Sequence, residues 1–404
     1  MKIFSYRPGC AKRRTVFENQ LLLYAALQSS HGYKFKIAVD KESHEPDDRF
    51  EWLLLNHENW ASWRGRHWHL NRKSKIDALV QAARGSDGIL TIDPVVYPQA
   101  LLAFEAAAKL DIPVWFDATI TLLSETLNTR WYSIKYRLLK RLLSQTQRIL
   151  IPSPKVMERF HHLELLDDSI MDRFQILGHP IDVRHFQPRA AATVPGRILC
   201  VSRLVPEKGI AYILEAFAIV SRSNPDAHLH FIGKGPMENW IRQRSLELGV
   251  DKQVSIIPPV RHGDLPALLQ TGACAVNHSL SMQGWEEYFG VANLEAMACG
   301  LPVISTTAGG IPFALRPPAI FRPVAERDIT GLADAMLEIL TQDEGTRMHT
   351  VRQNRLYVEQ TYTPQAMSAV FHRAIGQQLD KTHPPAIQSD SSPTPIPSIE
   401  SSKS

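Results

Sequence analysis

The chain has 404 residues, 44% of them hydrophobic and 21% charged, with a formal net charge of +4. That length suggests two substantial domains, and the composition lets each bury a core without metal or disulfide staples. The charge is too small to imply nucleic-acid binding, so no nucleic acid is expected as a partner.

The N-terminus, MKIFSYRPGC, passes from one Lys through a strand-like run at 2–5 into Pro-Gly, without the apolar core of a signal peptide. No apolar run reaches the length of about eighteen residues that reads as a transmembrane helix. The expectation is a cytoplasmic protein, free or peripheral on the inner face of a membrane. Short apolar strands then alternate with longer amphipathic helices, the pattern of a parallel sheet covered on both faces. Strands are expected at 2–5, 36–39, 88–92, 114–116, 148–151 and 175–177, and helices at 16–29, 73–83, 98–110 and 132–144. A turn-rich break at 178–182 (GHPID) follows, and the Pro/Ala/Gly-rich stretch 187–196 reads as a linker. The alternation restarts with strands at 197–201, 228–232, 254–257, 273–277 and 302–306, and helices at 209–221, 237–248, 265–270, 292–299 and 329–341.

The fold class is therefore α/β, with two Rossmann-like doubly wound domains facing across a cleft. The expected divisions are 1–186, linker 187–196, 197–363, a C-terminal helix 364–381 packing back on the first domain, and a tail 382–404. That tail (THPPAIQSDSSPTPIPSIESSKS) is Ser/Pro-rich and reads as disordered. Cys10, Cys200, Cys274 and Cys299 form no CxxC pair and no Cys/His metal spacing. Three of them sit in apolar runs and read as buried thiols, as suits a reducing compartment.

Charge is uneven along the chain. Residues 1–190 hold 27 Lys and Arg against 21 Asp and Glu, a surplus of 6, and the remainder holds 18 against 20, a deficit of 2. A basic first half suits an anionic acceptor or membrane surface; an ordinary solvated surface explains it equally well. Residues 60–75 (WASWRGRHWHLNRKSK) interleave aromatic and basic side chains. They suit sugar stacking or a lipid interface as well as they suit a packed loop. Residues 132–148 form a basic amphipathic stretch, for a membrane surface or for a core-packing helix with a solvated face.

The strongest chemical signal is the run from Glu287 to Pro302, EYFGVANLEAMACGLP. A glycine turn at Gly290 leads into a helix that stops at Gly300. Glu287 precedes the helix and Glu295 is expected in its first turn, both facing a ligand at the helix N-terminus. Free N–H groups and the positive dipole end there favour a diphosphate, and carboxylates accept from sugar hydroxyls. The plainer reading makes Glu295 a helix-dipole residue and Glu287 a surface charge. A second cluster, VSRLVPEKG at 201–209, places Arg203 and Lys208 five residues apart after a strand, a guanidinium fork and a point charge for phosphate. A third, FIGKGP at 231–236, sets Gly233 and Gly235 where a backbone must be approached closely.

In this order and spacing, the three clusters resemble the donor domain of retaining glycosyltransferases of family four (group 1), which have the GT-B fold. The resemblance covers roughly 147–340. It implies that Arg203 and Lys208 bind the donor diphosphate, that Glu287 faces the transferred sugar, and that Glu295 binds the ribose. Gly233 and Gly235 belong to the donor site, and amides at Gly290, Val291 and Ala292 hold the sugar-phosphate end. Residues 257–261 lie where the family reads the base, with Pro259 in place of a usual glycine. The implied activity is retaining, hexosyltransferase-type transfer from a nucleotide-diphosphate-sugar donor to a polysaccharide, glycolipid or other glycoconjugate, with no metal and no cofactor. The first half departs from the family: its first strand–helix loop has one glycine, and the segment after 114–116 has no His. Asp117 or Thr119 stands in that catalytic position, or the role is absent. Two alternatives stay open, transfer to a small-molecule aglycone, and a catalytically silent sugar-nucleotide-binding or scaffolding protein.

Overall fold

The computed structural model describes residues 1–7, 15–39, 47–55, 71–92, 98–118, 143–162, 168–189, 193–282 and 285–379. The first half contains β1 (Lys2–Arg7), α1 (Thr15–His31), β2 (Lys34–Val39), β3 (Glu51–Leu54), α2 (Arg72–Ala83), β4 (Gly88–Ile92) and α3 (Leu101–Leu110). It continues through β5 (Val114–Asp117), β6 (Arg148–Ile151), α4 (Pro154–His162), α5 (Asp168–Met171) and β7 (Phe174–Ile176). The second half holds β8 (Arg197–Val201), α6 (Ile210–Ser223), β9 (His228–Ile232), α7 (Glu238–Leu248), β10 (Val254–Ile257), α8 (Leu265–Leu269), β11 (Cys274–Asn277), α9 (Val291–Ala298) and β12 (Val303–Thr306). After it come α10 (Ile311–Ala314), β13 (Arg322–Val324), α11 (Ile329–Thr341), α12 (Glu344–Thr361) and α13 (Pro364–Leu379).

The strands form two parallel sheets, ordered β3-β2-β1-β4-β5-β6-β7 and β10-β9-β8-β11-β12-β13. Each order reverses once, between β1 and β4 and between β8 and β11. The central strands are apolar because both faces are covered; β4, GILTI, is buried along its whole length. In-register pairs such as Ile3 with Phe35 and Cys200 with Phe231 lock neighbouring strands.

Three elements differ from expectation. β3 is a half-buried strand at the edge of the first sheet, and its EWLL run carries no alternating pattern. β13, RPV, holds a proline that only an edge tolerates, and it is the outermost strand of its sheet. α12 is mostly polar, and it stands through a narrow buried stripe of Val351, Asn354, Tyr357 and Val358 and an Asp343 cap on the Thr346 amide. Of the helix expected at 132–144, residues 143–145 are helical, and 132–142 lie outside the described residues. So do residues 60–70, Cys10, Thr119 and the tail 382–404.

One apolar cluster runs through both halves, joining Leu177, Ile181 and Phe186 to Phe289, Tyr357 and Tyr362. α13 leaves the second half and lies along α1, where Tyr33 Oη meets His372 Nδ1 at 2.9 Å. Arg355 of α12 ties the halves by polar contacts as well. It donates to the carbonyls of Val183 (2.6 Å), Ala298 (2.8 Å) and Phe186.

Candidate active site

Open parallel sheets gather ligands at the carboxyl ends of strands where the strand order reverses. In the second sheet that point lies between β8 and β11. β8 runs into the loop of Arg203 and a single turn at Pro206–Lys208; β11 runs into His278 and Ser279. Lys208 and Glu287, 79 residues apart in sequence, meet there as an ion pair with side chains 19% and 18% exposed.

Three more groups hold the Glu287 carboxylate. The Gly290 amide donates to Oε1 (3.2 Å), Ser279 Oγ donates to Oε2 (3.4 Å), and the Phe289 amide contributes. Burial raises the Glu287 pKa, but Lys208 and these amides outweigh it and hold the carboxyl below its usual range. The loop itself is pinned from behind. Gly310 N–H donates to the Glu287 carbonyl at 2.7 Å, and Ser153 Oγ of the first half donates to the Tyr288 carbonyl at 2.6 Å. A Cβ on Gly310 would lie 1.9 Å from Tyr288 O, and one on Gly309 would lie 2.1 Å from Glu287 O. This Gly-Gly buttress escaped the sequence reading; its signal was the glycine pair just past the strand end at Thr306.

Arg203 stands at the edge of the cluster. Its side chain is 60% exposed and reaches Glu207 at 3.3 Å. Beneath it, the turn of Gly233 and Gly235 packs on the protein's own backbone: added Cβ atoms would meet Ser202 O at 1.9 Å and Leu204 O at 2.2 Å. Leu204 N–H donates to Lys234 O at 3.0 Å. The close approach anticipated for these glycines is thus made to the loop that carries Arg203.

Gly290 takes a left-handed φ of 79° as the residue before α9. The amides of Val291 and Ala292 open that helix, where no earlier turn can accept them and the dipole is positive. Glu295 corrects the expectation. α9 begins at Val291, so Glu295 is its fifth residue, and the first turn holds no acidic side chain. Its carboxylate is 5% exposed and lies 3.0 Å from His262 Nε2, a partner that the sequence did not mark. His262 sits in the turn His262–Asp264 just after the 257–261 segment and packs at 5.1 Å from the Phe186 ring.

Asp117 is not part of this cluster. It ends β5 in the first sheet, where Gln20 donates to its carboxylate and the Arg7 guanidinium lies 3.6 Å away. Burial pushes its pKa up to about 6, against the opposing pull of Arg7. Arg7 also donates to Tyr24 Oη and to Ser5 Oγ (3.2 Å). Arg7, Gln20, Tyr24 and Asp117 line a small cavity of about 10 Å³, room for about one water, together with His179. His179, read in sequence only as part of a turn, packs edge-on at 5.1 Å from Phe289. Burial lowers its pKa to about 4, although Glu287 pulls the other way. A larger cavity of about 470 Å³ opens beside Glu286, with Lys155, Arg159 and His161 along it.

Cys200, Cys274 and Cys299 are buried free thiols, pushed up to about 11, 12 and 12 by desolvation. Among the described residues, no group of three His, Cys, Asp or Glu could hold a metal ion. Among them too, no helix is long and apolar enough to cross a membrane.

The second sheet, its two strand-end loops and the Lys208–Glu287 pair lie within one recognisable unit. Residues 184–356 match the family of glycosyl transferases group 1. Curated relatives match parts of the chain as well. Over 182 residues the chain is 30% identical to a GDP-mannose-dependent monoacylated alpha-(1-6)-phosphatidylinositol monomannoside mannosyltransferase of Corynebacterium glutamicum, covering 41% of this chain and 47% of that protein. Over 258 residues it is 28% identical to a D-inositol 3-phosphate glycosyltransferase of Mycobacterium tuberculosis, covering 59% and 51%. The chain thus spans about half the length of the curated relatives it matches. Among solved structures, an Anabaena HepE protein in complex with UDP superposes with a TM-score of 0.70 at 14% identity, over 93% of this chain and 100% of that one. A sucrose-phosphate synthase of Thermosynechococcus elongatus gives 0.71 at 16% identity, over 94% and 100%. At that identity the likeness is one of fold, the two-domain GT-B arrangement.

Proposed function

We propose that the chain is a retaining, metal-independent glycosyltransferase that moves a sugar from a nucleotide-diphosphate-sugar donor to a polysaccharide, glycolipid or other glycoconjugate. The observation that carries this reading is the Lys208–Glu287 ion pair, set beside the open N-terminus of α9 at the reversal point of the second sheet. A matching family region and a structural neighbour in complex with UDP add support.

The chemistry follows from charge. Breaking the bond between anomeric carbon and phosphate builds positive charge on the sugar and negative charge on the leaving diphosphate. Lys208, Arg203 and the amides of Val291 and Ala292 are the groups that stabilise the latter, and preorganised charge of this kind is usually the largest catalytic contribution. Glu287, kept ionised by its partners, faces the transferred sugar and accepts from its hydroxyls. Glu295, aligned by His262, accepts from the ribose. Gly233 and Gly235 serve the donor site by shaping the Arg203 loop. Retention follows from attack on the face the diphosphate leaves, with a phosphate oxygen taking the acceptor's proton.

The test is binding and slow hydrolysis across a panel of UDP-, GDP- and ADP-sugars, with Glu295→Ala as control. One sugar nucleotide should bind, turn over and lose both behaviours in the variant. A panel in which none binds removes the donor-site assignment and favours a scaffolding role.

A further inference from the structure

Lys208 is held from two sides. Glu287 takes one, and the face of Trp285 takes the other, with the ammonium 5.0 Å from the ring centre. A carboxylate and an indole hold a cation differently. The carboxylate cancels its charge; the indole attracts it through the ring quadrupole and leaves the net charge intact. Because the Lys208 side chain is only 19% exposed, water screens that attraction weakly.

The backbone that carries the indole is itself tied down. Met282 and Trp285 exchange two backbone hydrogen bonds, each 3.0 Å. Immediately before Met282, Ser281 donates to the Glu326 carboxylate through its amide (2.7 Å) and its hydroxyl (2.8 Å). Arg327 donates to the Ser281 carbonyl at 3.0 Å. A long, flexible lysine stem therefore meets a ring on a pinned support.

We propose that Trp285 is a positioning residue that aims Lys208 at the diphosphate of the donor. This deepens the donor-site reading above and rests on it. A diphosphate entering the site competes with Glu287 for the ammonium. As the ammonium exchanges carboxylate for phosphate oxygens, the indole keeps it in place, so the stem does not return to its full set of rotamers. The group recognised is a nucleoside diphosphate, and the benefit of Trp285 must pass through Lys208.

A double-mutant cycle tests this, with UDP and GDP as calorimetric probes on the full chain. Trp285→Leu should weaken binding by about five- to tenfold, and Trp285→Phe, which keeps an aromatic face, by about twofold. In a Lys208→Ala background, Trp285→Leu should add less than about a twofold further loss. Trp285→Gln replaces the leucine variant if thermal melting shows that the latter does not fold. An equal penalty with and without Lys208, or a phenylalanine variant as weak as the leucine one, overturns the inference and leaves the donor site standing. If neither nucleotide binds the wild type, or Lys208→Ala leaves binding unchanged, the donor-site reading itself fails and takes this inference with it.

Discussion

The two sheets place opposite charges at the carboxyl ends of their strands and treat them differently. In the first sheet, Arg7 and Asp117 are 1% and 6% exposed. Gln20 and Tyr24, both on α1, close over them and complete their hydrogen bonds. In the second, Lys208 and Glu287 stay about a fifth exposed, and Arg203 stands mostly in solvent. Strand ends in such sheets collect charge in either case. What separates a packed network from a candidate site is whether a neighbouring helix satisfies the charges or leaves room for a ligand to do so.

Removing one carboxylate from each half is the sharpest way to break this comparison. Glu287→Ala should cut turnover by about 100-fold or more, the scale of losing a preorganised catalytic contact, with a smaller loss of stability than Asp117→Ala because Lys208 keeps access to water. Asp117→Ala should do the reverse. It leaves Arg7 buried with fewer partners and should cost about 3 kcal/mol in urea unfolding. If both variants lose activity without losing stability, the first-sheet network is part of the site and the contrast collapses.

The junction between the halves gives the next effect. Arg355 satisfies three carbonyls, from Val183, Phe186 and Ala298, while paired to Glu359 at 2.7 Å. Arg355→Ala should cost about 2 kcal/mol, since hydrogen bonds to a charged group are worth more than neutral ones. Separate unfolding transitions for the two halves in this variant, followed by far-UV circular dichroism and intrinsic fluorescence, would mark Arg355 as the tie that makes them one unit.

The smallest effect is in pH. Burial holds His179 and His278 at about 4 in the folded protein, against 6.5 for a free imidazole. The unfolded chain therefore binds more protons, and the stability these residues confer is complete above about 6.5 and is lost as pH falls toward 4. At pH 5.5 each should account for about 1 kcal/mol. Asp117, raised to about 6, works in the opposite direction through the same window. The readout is therefore the difference between wild type and His179→Gln in denaturation midpoint at pH 7.5 and 5.5. An equal drop in both would show that His179 does not carry the effect.

Most of the alternation was legible along the chain because central parallel strands are short apolar runs bounded by turns. β4, β6, β8, β9 and β10 lie at the residues expected for them. Two of the four edge strands, β3 and β13, were not legible, because they carry no clear apolar run, whereas the edge strands β7 and β10 lie within one residue of where they were expected. At the site, the sequence pointed to Arg203, Lys208, Gly290, Glu287 and Glu295 through residue type and spacing. It did not show that Lys208 would find Glu287, that Glu295 would be buried against His262, or that Gly310 would brace the Glu287 loop.

By itself, then, the sequence determined the succession of strands and helices, the interruption between two similar halves, and the residue types able to meet a diphosphate, because these depend on local periodicity and on chemistry carried by single side chains. Only the tertiary structure decided which charges became partners. Lys208 and Glu287 come together because β8 and β11 are adjacent across the reversal of strand order, and Arg7 and Asp117 are sealed because α1 lies over their strand ends. Those distances are set by packing between segments far apart in the chain, and no local pattern encodes them.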